Sequence, residues 1–150
     1  MLRSPVSGEV PVHLAEDYRE ACLVLADSPK ASAALARRCL QGILHDRGIK
    51  ERDLSKEIDA LLAASDPSLV IPESLRTTID AIRNFGNFSA HPVTDKTTLQ
   101  VIAVEPHEAE WCLDLIEELF EHFYVKPAEA RRRKKLLDEK LLASGKPASK

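Results

Sequence analysis

The sequence predicts an all-α fold: an up-and-down bundle of four main helices with a short extra helix and a C-terminal helical tail. Three observations lead there. Apolar residues recur at steps of three and four through most of the chain, the spacing that gathers them on one face of a helix. Proline, serine, aspartate and glycine fall where such repeats start and stop. Finally, 150 residues with 44% hydrophobic and 30% charged side chains suffice for one core that needs neither disulfides nor a metal.

The elements follow in order. A stretch over 1–12, broken by Pro5 and Pro11, is expected to be flexible. Leu14, Tyr18, Cys22 and Leu25, at steps of 4, 4 and 3, predict a first helix near 13–27. Ser28-Pro29 reads as an N-cap followed by proline at the first helical position. The second helix then turns Ala33, Ala36, Leu40, Ile43 and Leu44 inward and ends at Gly48, a glycine in the position after the C-cap. Asp53 caps a shorter helix with Leu54, Ile58, Leu61 and Leu62 on its apolar side, and Asp66-Pro67-Ser68 makes a turn. Pro72 opens a fourth helix with Leu75, Ile79 and Ile82 inward, running to about Ala90 before Pro92 stops it.

The β-branched run from Thr97 to Val104 reads as extended. A lone strand has no partner, so an extended crossover packed on the bundle is expected. Glu105-Pro106 restarts a helix with Cys112, Leu115, Ile116, Leu119 and Phe123 inward, ending near Tyr124. The bundle thus spans 13–126. Over 127–150 a basic helical tail follows, with Arg131-Arg132-Arg133-Lys134-Lys135, then Leu136, Leu137, Leu141 and Leu142, and a disordered end from 144.

Composition excludes several functions. Cys22, Cys39 and Cys112 sit in apolar helical patterns without a second cysteine or a histidine at ligand spacing, so neither a disulfide framework nor a metal site is expected. His13, His45, His107 and His122 stand alone. No apolar run approaches the roughly 18 residues of a spanning helix, and no signal-peptide pattern opens the chain; a cytoplasmic protein without membrane association is expected. Residues 1–126 carry 13 basic and 21 acidic side chains, a net of −8, whereas 127–150 carry 8 and 3, a net of +5. An acidic body does not grip nucleic acid over a broad surface. The tail, through Arg131, Arg132 and Arg133, is the part electrostatically suited to RNA or DNA, although a short basic tail is more often a solvated helix. Phosphate-binding glycine loops and Ser/His/Asp triads are absent, which disfavours kinases, NTPases and hydrolases. No cofactor is expected.

One segment remains: Arg83-Asn84-Phe85-Gly86-Asn87-Phe88-Ser89-Ala90-His91. At 100° per residue, Leu75, Ile79, Ile82 and Gly86 share one face of the fourth helix. Arg76, Asp80, Arg83, Asn87 and His91 share the other, with Asn84 beside them. A helical glycine costs about 1 kcal/mol, so Gly86 suggests close approach of another helix. Phe85 and Phe88 point to the remaining arc, where exposed rings would invite a partner. A histidine at a helix C-terminus, one or two turns from a guanidinium, suits phosphodiester chemistry: the imidazole moves a proton and the arginine holds charge on phosphorus oxygens. Periodicity alone favours a solvated face whose last residue caps carbonyls.

The run from Tyr18 to Pro127 resembles the bacterial family catalogued as domain of unknown function 4145, part of the HEPN superfamily of α-helical bundles. The resemblance lies in Ser28-Pro29-Lys30-Ala31-Ser32-Ala33-Ala34-Leu35-Ala36-Arg37-Arg38, then Ile82 to His91, then Tyr124-Val125-Lys126-Pro127, and covers about three-quarters of the chain in matching order. It implies a HEPN-like bundle. It also implies a homodimer in which two Arg/His motifs meet at one cleft, and membership of superfamily branches rich in metal-independent ribonucleases and in toxin and defence components. The superfamily motif is an arginine, a polar residue directly after it, and a histidine after four to six intervening residues. Arg83, Asn84 and His91 fit its parts, with seven residues between Arg83 and His91, an offset of about 80° around a regular helix. Asn87 holds the position nearest His91. The expected function is therefore a dimerising HEPN-like module of a bacterial defence or toxin–antitoxin-like system that binds a protein partner or RNA. The alternative is a metal-independent endoribonuclease in which His91 is the acid or base and Arg83, with Asn84 and Asn87, holds the phosphate. The pair Arg37-Arg38 is a further phosphate candidate; solvated or ion-paired arginines are the favoured reading, given the acidic Glu117, Glu118 and Glu121.

Overall fold

The computed structural model describes residues 3–90, 93–94, 99–100 and 103–149, with side chains left out at 82–90 and in the two short strands. Six α-helices are present among the described residues: α1 (Val12–Val24), α2 (Pro29–Asp46), α3 (Leu54–Ala63), α4 (Glu73–Ala90), α5 (Pro106–Phe120) and α6 (Lys126–Ala143). A π turn (Glu121–Val125) joins the last two. The fold is all-α.

Local chemistry sets the helix ends. The Ser28 hydroxyl accepts the Ala31 amide of α2, and the Asp53 carboxylate accepts the Lys56 amide of α3, each satisfying an amide that the helix itself leaves open. At the end of α2 the Gly48 amide reaches the His45 carbonyl and the Ile49 amide reaches the Leu44 carbonyl, at 3.0 and 2.8 Å. This double closure requires the left-handed backbone that Gly48 adopts, with φ of 87°. The Glu108 carboxylate accepts the Glu105 amide at 3.0 Å, closing the start of α5.

α2 is the central helix, packed on α1, α3, α4 and α5. Its contact with α1 is close because its facing residues are small. The Ser32 hydroxyl donates to the Ala21 carbonyl at 2.7 Å, and the Cys39 thiol lies 3.4 Å from the Leu14 carbonyl. A methyl group added at Gly42 would stand 2.5 Å from Leu14 Cδ2. Leu14, Ile43, Leu44, Ile58, Leu61, Ile79, Leu113, Ile116 and Leu119 are fully buried in the shared core.

Two expectations are corrected. Leu99–Gln100 is not a lone extended run: it pairs antiparallel with Val93–Thr94, a partner lying immediately upstream. The expectation overlooked that a partner separated by only four residues of sequence supplies the missing strand at little loop-closure cost. The last core helix also does not end near Tyr124. Its backbone stays right-handed helical through Phe120, Val125 and Lys126, and the Lys126 amide bonds to the Glu121 carbonyl five residues back. A proline inside a regular helix collides with the carbonyl four residues earlier; the wider π turn directly before Pro127 lets the helix pass it. α5, the π turn and α6 thus form one rod of roughly 55 Å at 1.5 Å per residue.

The π turn is fixed from two sides. The Tyr124 hydroxyl donates to Asp46 Oδ2 at 2.6 Å at the end of α2, and the Arg47 guanidinium lies over the Phe123 and Tyr124 rings, 5.9 and 5.1 Å from their centroids. Burial, then the bond to Asp46, pushes the Tyr124 hydroxyl well above the usual tyrosine range. On the other side His122 Nε2 lies 2.9 Å from the Val70 carbonyl oxygen. Beyond the turn the rod leaves the bundle: in α6 Ala128 alone is buried, and Leu136, Leu137 and Leu142 are 66%, 59% and 62% exposed. The sequence reads 144–150 as disordered; in the structure Gly145 closes α6 with φ of 76°, and the Ser149 amide returns to Asp138 Oδ1 at 2.8 Å.

The segment before α1, expected to be flexible, crosses the bundle surface. Arg3 Nη1 donates to Asp114 at 2.8 Å and to Glu117 at 3.1 Å on α5, Val10 is buried, and Glu9 pairs with Arg132 of α6 at 2.9 Å. Gly48→Ala is expected to lower the unfolding free energy by about 1–2 kcal/mol, the cost of a left-handed backbone for a residue with a Cβ. Ile79→Ala, at a fully buried site, should cost about 2–5 kcal/mol. Urea denaturation followed by far-UV circular dichroism checks both.

Candidate functional site

The segment singled out by sequence occupies the last two turns of α4. The backbone is helical up to Ala90, so positions 83 and 87 lie about one turn apart, with 84 adjacent. The side chains of Arg83, Asn84 and Asn87, and His91 as a whole, lie outside the described residues, as do the side chains of Ile82, Phe85 and Phe88. What the structure supplies is the setting. Leu75 and Ile79 bury the inner face of α4, and the helix packs on α2, α3 and α5.

Between α2, α4 and α5 lies an apolar cavity of about 20 Å³, walled by Ala33, Ala36, Arg37, Ile79, Cys112 and Ile116 among others. Arg37, half-buried on α2, is its one charged lining residue among the described ones. Arg38 is exposed, and its Nε lies 3.4 Å from Asp17 Oδ2. Arg38 is thus both solvated and ion-paired, its partner being Asp17 of α1 and not an α5 glutamate. α1 supplies the carboxylate because it lies flush along the small-residue face of α2.

Arg131, Arg132 and Arg133 stand exposed on α6, Arg132 in its pair with Glu9. Lys134 pairs with Asp138 one turn on, at 2.7 Å. That bond, then those from Ser149, hold the Asp138 carboxyl down at about 2. α6 packs on the π turn, whereas α4 packs on the body helices. The described contacts do not gather the three arginines with the end of α4.

Sequence reasoning missed a buried polar group. Glu57 on α3 is fully buried, with the Gln41 amide donating to its Oε1 at 2.7 Å and His45 Nε2 lying 2.5 Å from its Oε2. A buried carboxylate is tolerated only when such partners surround it, so His45 does not stand alone. The signal was present: Glu57 falls inside the apolar series Leu54, Ile58, Leu61, and Gln41 and His45 are one turn apart on the facing helix. A second polar contact ties the ends of the chain: the Tyr18 hydroxyl donates to Glu117, the carboxylate that Arg3 also clamps. Burial, then that bond, raises the Tyr18 hydroxyl far above its ordinary range.

Among the described residues, no three His, Cys, Asp or Glu side chains are placed to hold a metal ion. Cys39 and Cys112 are buried and Cys22 is half-buried, all as free thiols. Burial pushes all three thiols up, that of Cys112 to about 11 with help from Glu108. All three pack in or against the core. No described helix is long and apolar enough to cross a membrane. His45→Ala is expected to destabilise the fold by about 1–3 kcal/mol by stripping a partner from a buried carboxylate. In a Glu57→Gln background the same change should cost much less, and a double-mutant cycle in urea measures the difference.

No curated protein and no solved structure matches the chain. Residues 19–140 match the family described as Domain of unknown function (DUF4145), a span running from within α1 to near the end of α6 and so including most of the projecting helix. With most of its length matched in this way, the chain belongs to the DUF4145 family.

Proposed function

We propose that this chain is a HEPN-like helical module that acts as a homodimer in a bacterial defence or toxin–antitoxin-like system and binds a protein partner or RNA. The observation that supports this reading is α6. Eighteen residues of helix leave the bundle with one alanine buried, carrying three exposed leucines and a run of five basic side chains. An isolated monomer gains little from a helix so placed, because helices draw most of their stability from packing a face. A macromolecular surface laid along α6 supplies that packing.

A second reading is a metal-independent endoribonuclease that uses Arg83 and His91, with Asn84 and Asn87 holding phosphate. It is supported by the unbroken course of α4 to Ala90, which keeps positions 83, 84 and 87 on one helical segment directly before His91 in sequence. On this reading the histidine shuttles the proton between the ribose hydroxyl and the leaving oxygen, and the arginine stabilises the phosphorane charge.

Incubation of the purified protein with mixed RNA in EDTA tests the second reading. Cleavage that falls by about two orders of magnitude or more in both Arg83→Ala and His91→Ala is the outcome expected of an enzyme. No cleavage, or cleavage indifferent to both changes, leaves the binding module standing alone. For the first reading, mass in solution should be that of a dimer at micromolar concentration. RNA binding, where present, should weaken with salt, and its salt slope should become shallower when 127–150 is deleted.

A further inference from the structure

The α5–π turn–α6 rod is electrically divided. Residues 106–125 carry six acidic and no Lys or Arg side chains, a net of −6; residues 126–143 carry seven basic and three acidic, a net of +4. The division is also spatial. Glu110, Asp114, Glu118 and Glu121 are exposed and follow one another at steps of four, four and three, so they form one outward stripe on the acidic half, with exposed Trp111 at its edge. On the basic half, Arg131, Arg133, Lys135 and Lys140 are exposed and make no ion pair among the described residues. Leu136, Leu137 and Leu142 stand exposed among them.

From this arrangement we infer that the partner of α6 is a second copy of the chain, bound with the two rods antiparallel about a two-fold axis at the π turn. The inference rests on the proposed dimer and gives it an interface other than the shared Arg/His cleft that the family resemblance implies. Charge complementarity selects the occupant. A two-fold through the turn lays the basic half of each rod along the acidic half of the other, and symmetry makes the contact twice. With the axis near residue 125, Arg131 to Lys135 of one copy run beside the 115–119 stretch of its mate, which includes Glu118. Leu136 and Leu137 then come beside 113–114, within a turn of Trp111. A groove of about 370 Å³ lined by Pro72, Leu75, Glu117, Glu118, Glu121 and Lys126 among others, three carboxylates to one cation, opens beside the acidic stripe. It offers apolar floor and carboxylate rim to an arginine stem and its guanidinium. The parallel arrangement sets +4 against +4 and −6 against −6 and is repelled.

α6 is not built as a one-sided membrane or coiled-coil helix. Leu136, Leu137 and Leu142 are spread over more than half of its circumference, and basic side chains lie between them. Such a helix suits a trough with apolar and acidic walls better than a flat apolar surface. Nucleic acid answers the charge of α6 but offers nothing to its leucines.

Charge reversal tests the inference on the full chain, with mass measured by sedimentation equilibrium. Wild-type protein is expected to be a dimer whose dissociation constant rises about tenfold or more between low and high salt, as exposed pairs are screened. Arg131→Glu/Arg133→Glu/Lys135→Glu in one variant, and Glu118→Lys/Glu121→Lys in another, should each weaken the dimer by about 100-fold. Because these side chains are exposed, each variant should keep wild-type helicity. The two variants mixed, which bring opposite charges together in both contacts, one of them with reversed polarity, should form a heterodimer. The variant carrying all five changes should dimerise again. A dimer indifferent to both reversals overturns this interface while the dimer itself stands. A wild-type monomer at high micromolar concentration overturns the interface and the dimer together. Loss of RNA binding without loss of dimer in the α6 variant assigns the helix to nucleic acid and overturns the inference as well.

Discussion

The structure depends on how closely α1 and α2 approach. Ser32, Cys39 and Gly42 present almost no side-chain bulk to α1, and two of them bond directly to its backbone carbonyls. That closeness frees the opposite flank of α2, where Ala33, Ala36, Leu40 and Leu44 receive the other helices. A larger residue at Gly42 meets Leu14, which is itself fully buried, so the strain passes into the core rather than into solvent. The cavity beside Arg37 and the buried Glu57 both lie on flanks of α2 that this contact positions.

Around that centre, polar contacts tie distant parts of the chain. Arg3 and Tyr18 converge on Glu117, Asp46 and Arg47 seat the π turn, and Glu9 reaches Arg132. The exposed Glu9–Arg132 pair contributes little by itself, whereas the contacts of Tyr18, Arg3 and Tyr124 are part-buried. Together with the buried Phe120, Phe123 and Tyr124 they hold the rod where it leaves the bundle.

The first helix was legible from apolar spacing alone, and the next three because each is written twice, in apolar spacing and in end chemistry. Ser28, Asp53 and Gly48 do in the structure what their types imply. The passage through Pro127 was not legible. A proline after an apolar repeat reads as a stop, and a π turn leaves no compositional mark. The hairpin of Val93–Thr94 and Leu99–Gln100 was hidden for another reason, since two residues per strand give alternation no length in which to show. Of the candidate site, sequence located the segment on α4 but gave no neighbours for it. Arg38 found Asp17 rather than the α5 glutamates, and His45 found Glu57, because pairing depends on helix azimuth, which spacing within one helix does not set.

The π turn has a consequence of its own. It inserts the equivalent of one extra residue into an otherwise regular helix, and one residue is about 100° of azimuth. The compass bearing of every α6 side chain is therefore set by five residues, Glu121–Val125, and not by α6 itself. Were that segment to tighten into a regular turn, the same arginines and leucines would sweep around by about a quarter of a circle while the bundle beneath stayed unchanged. The chain thus holds its projecting helix on a pivot whose setting can drift in evolution by a single insertion or deletion, leaving the core untouched.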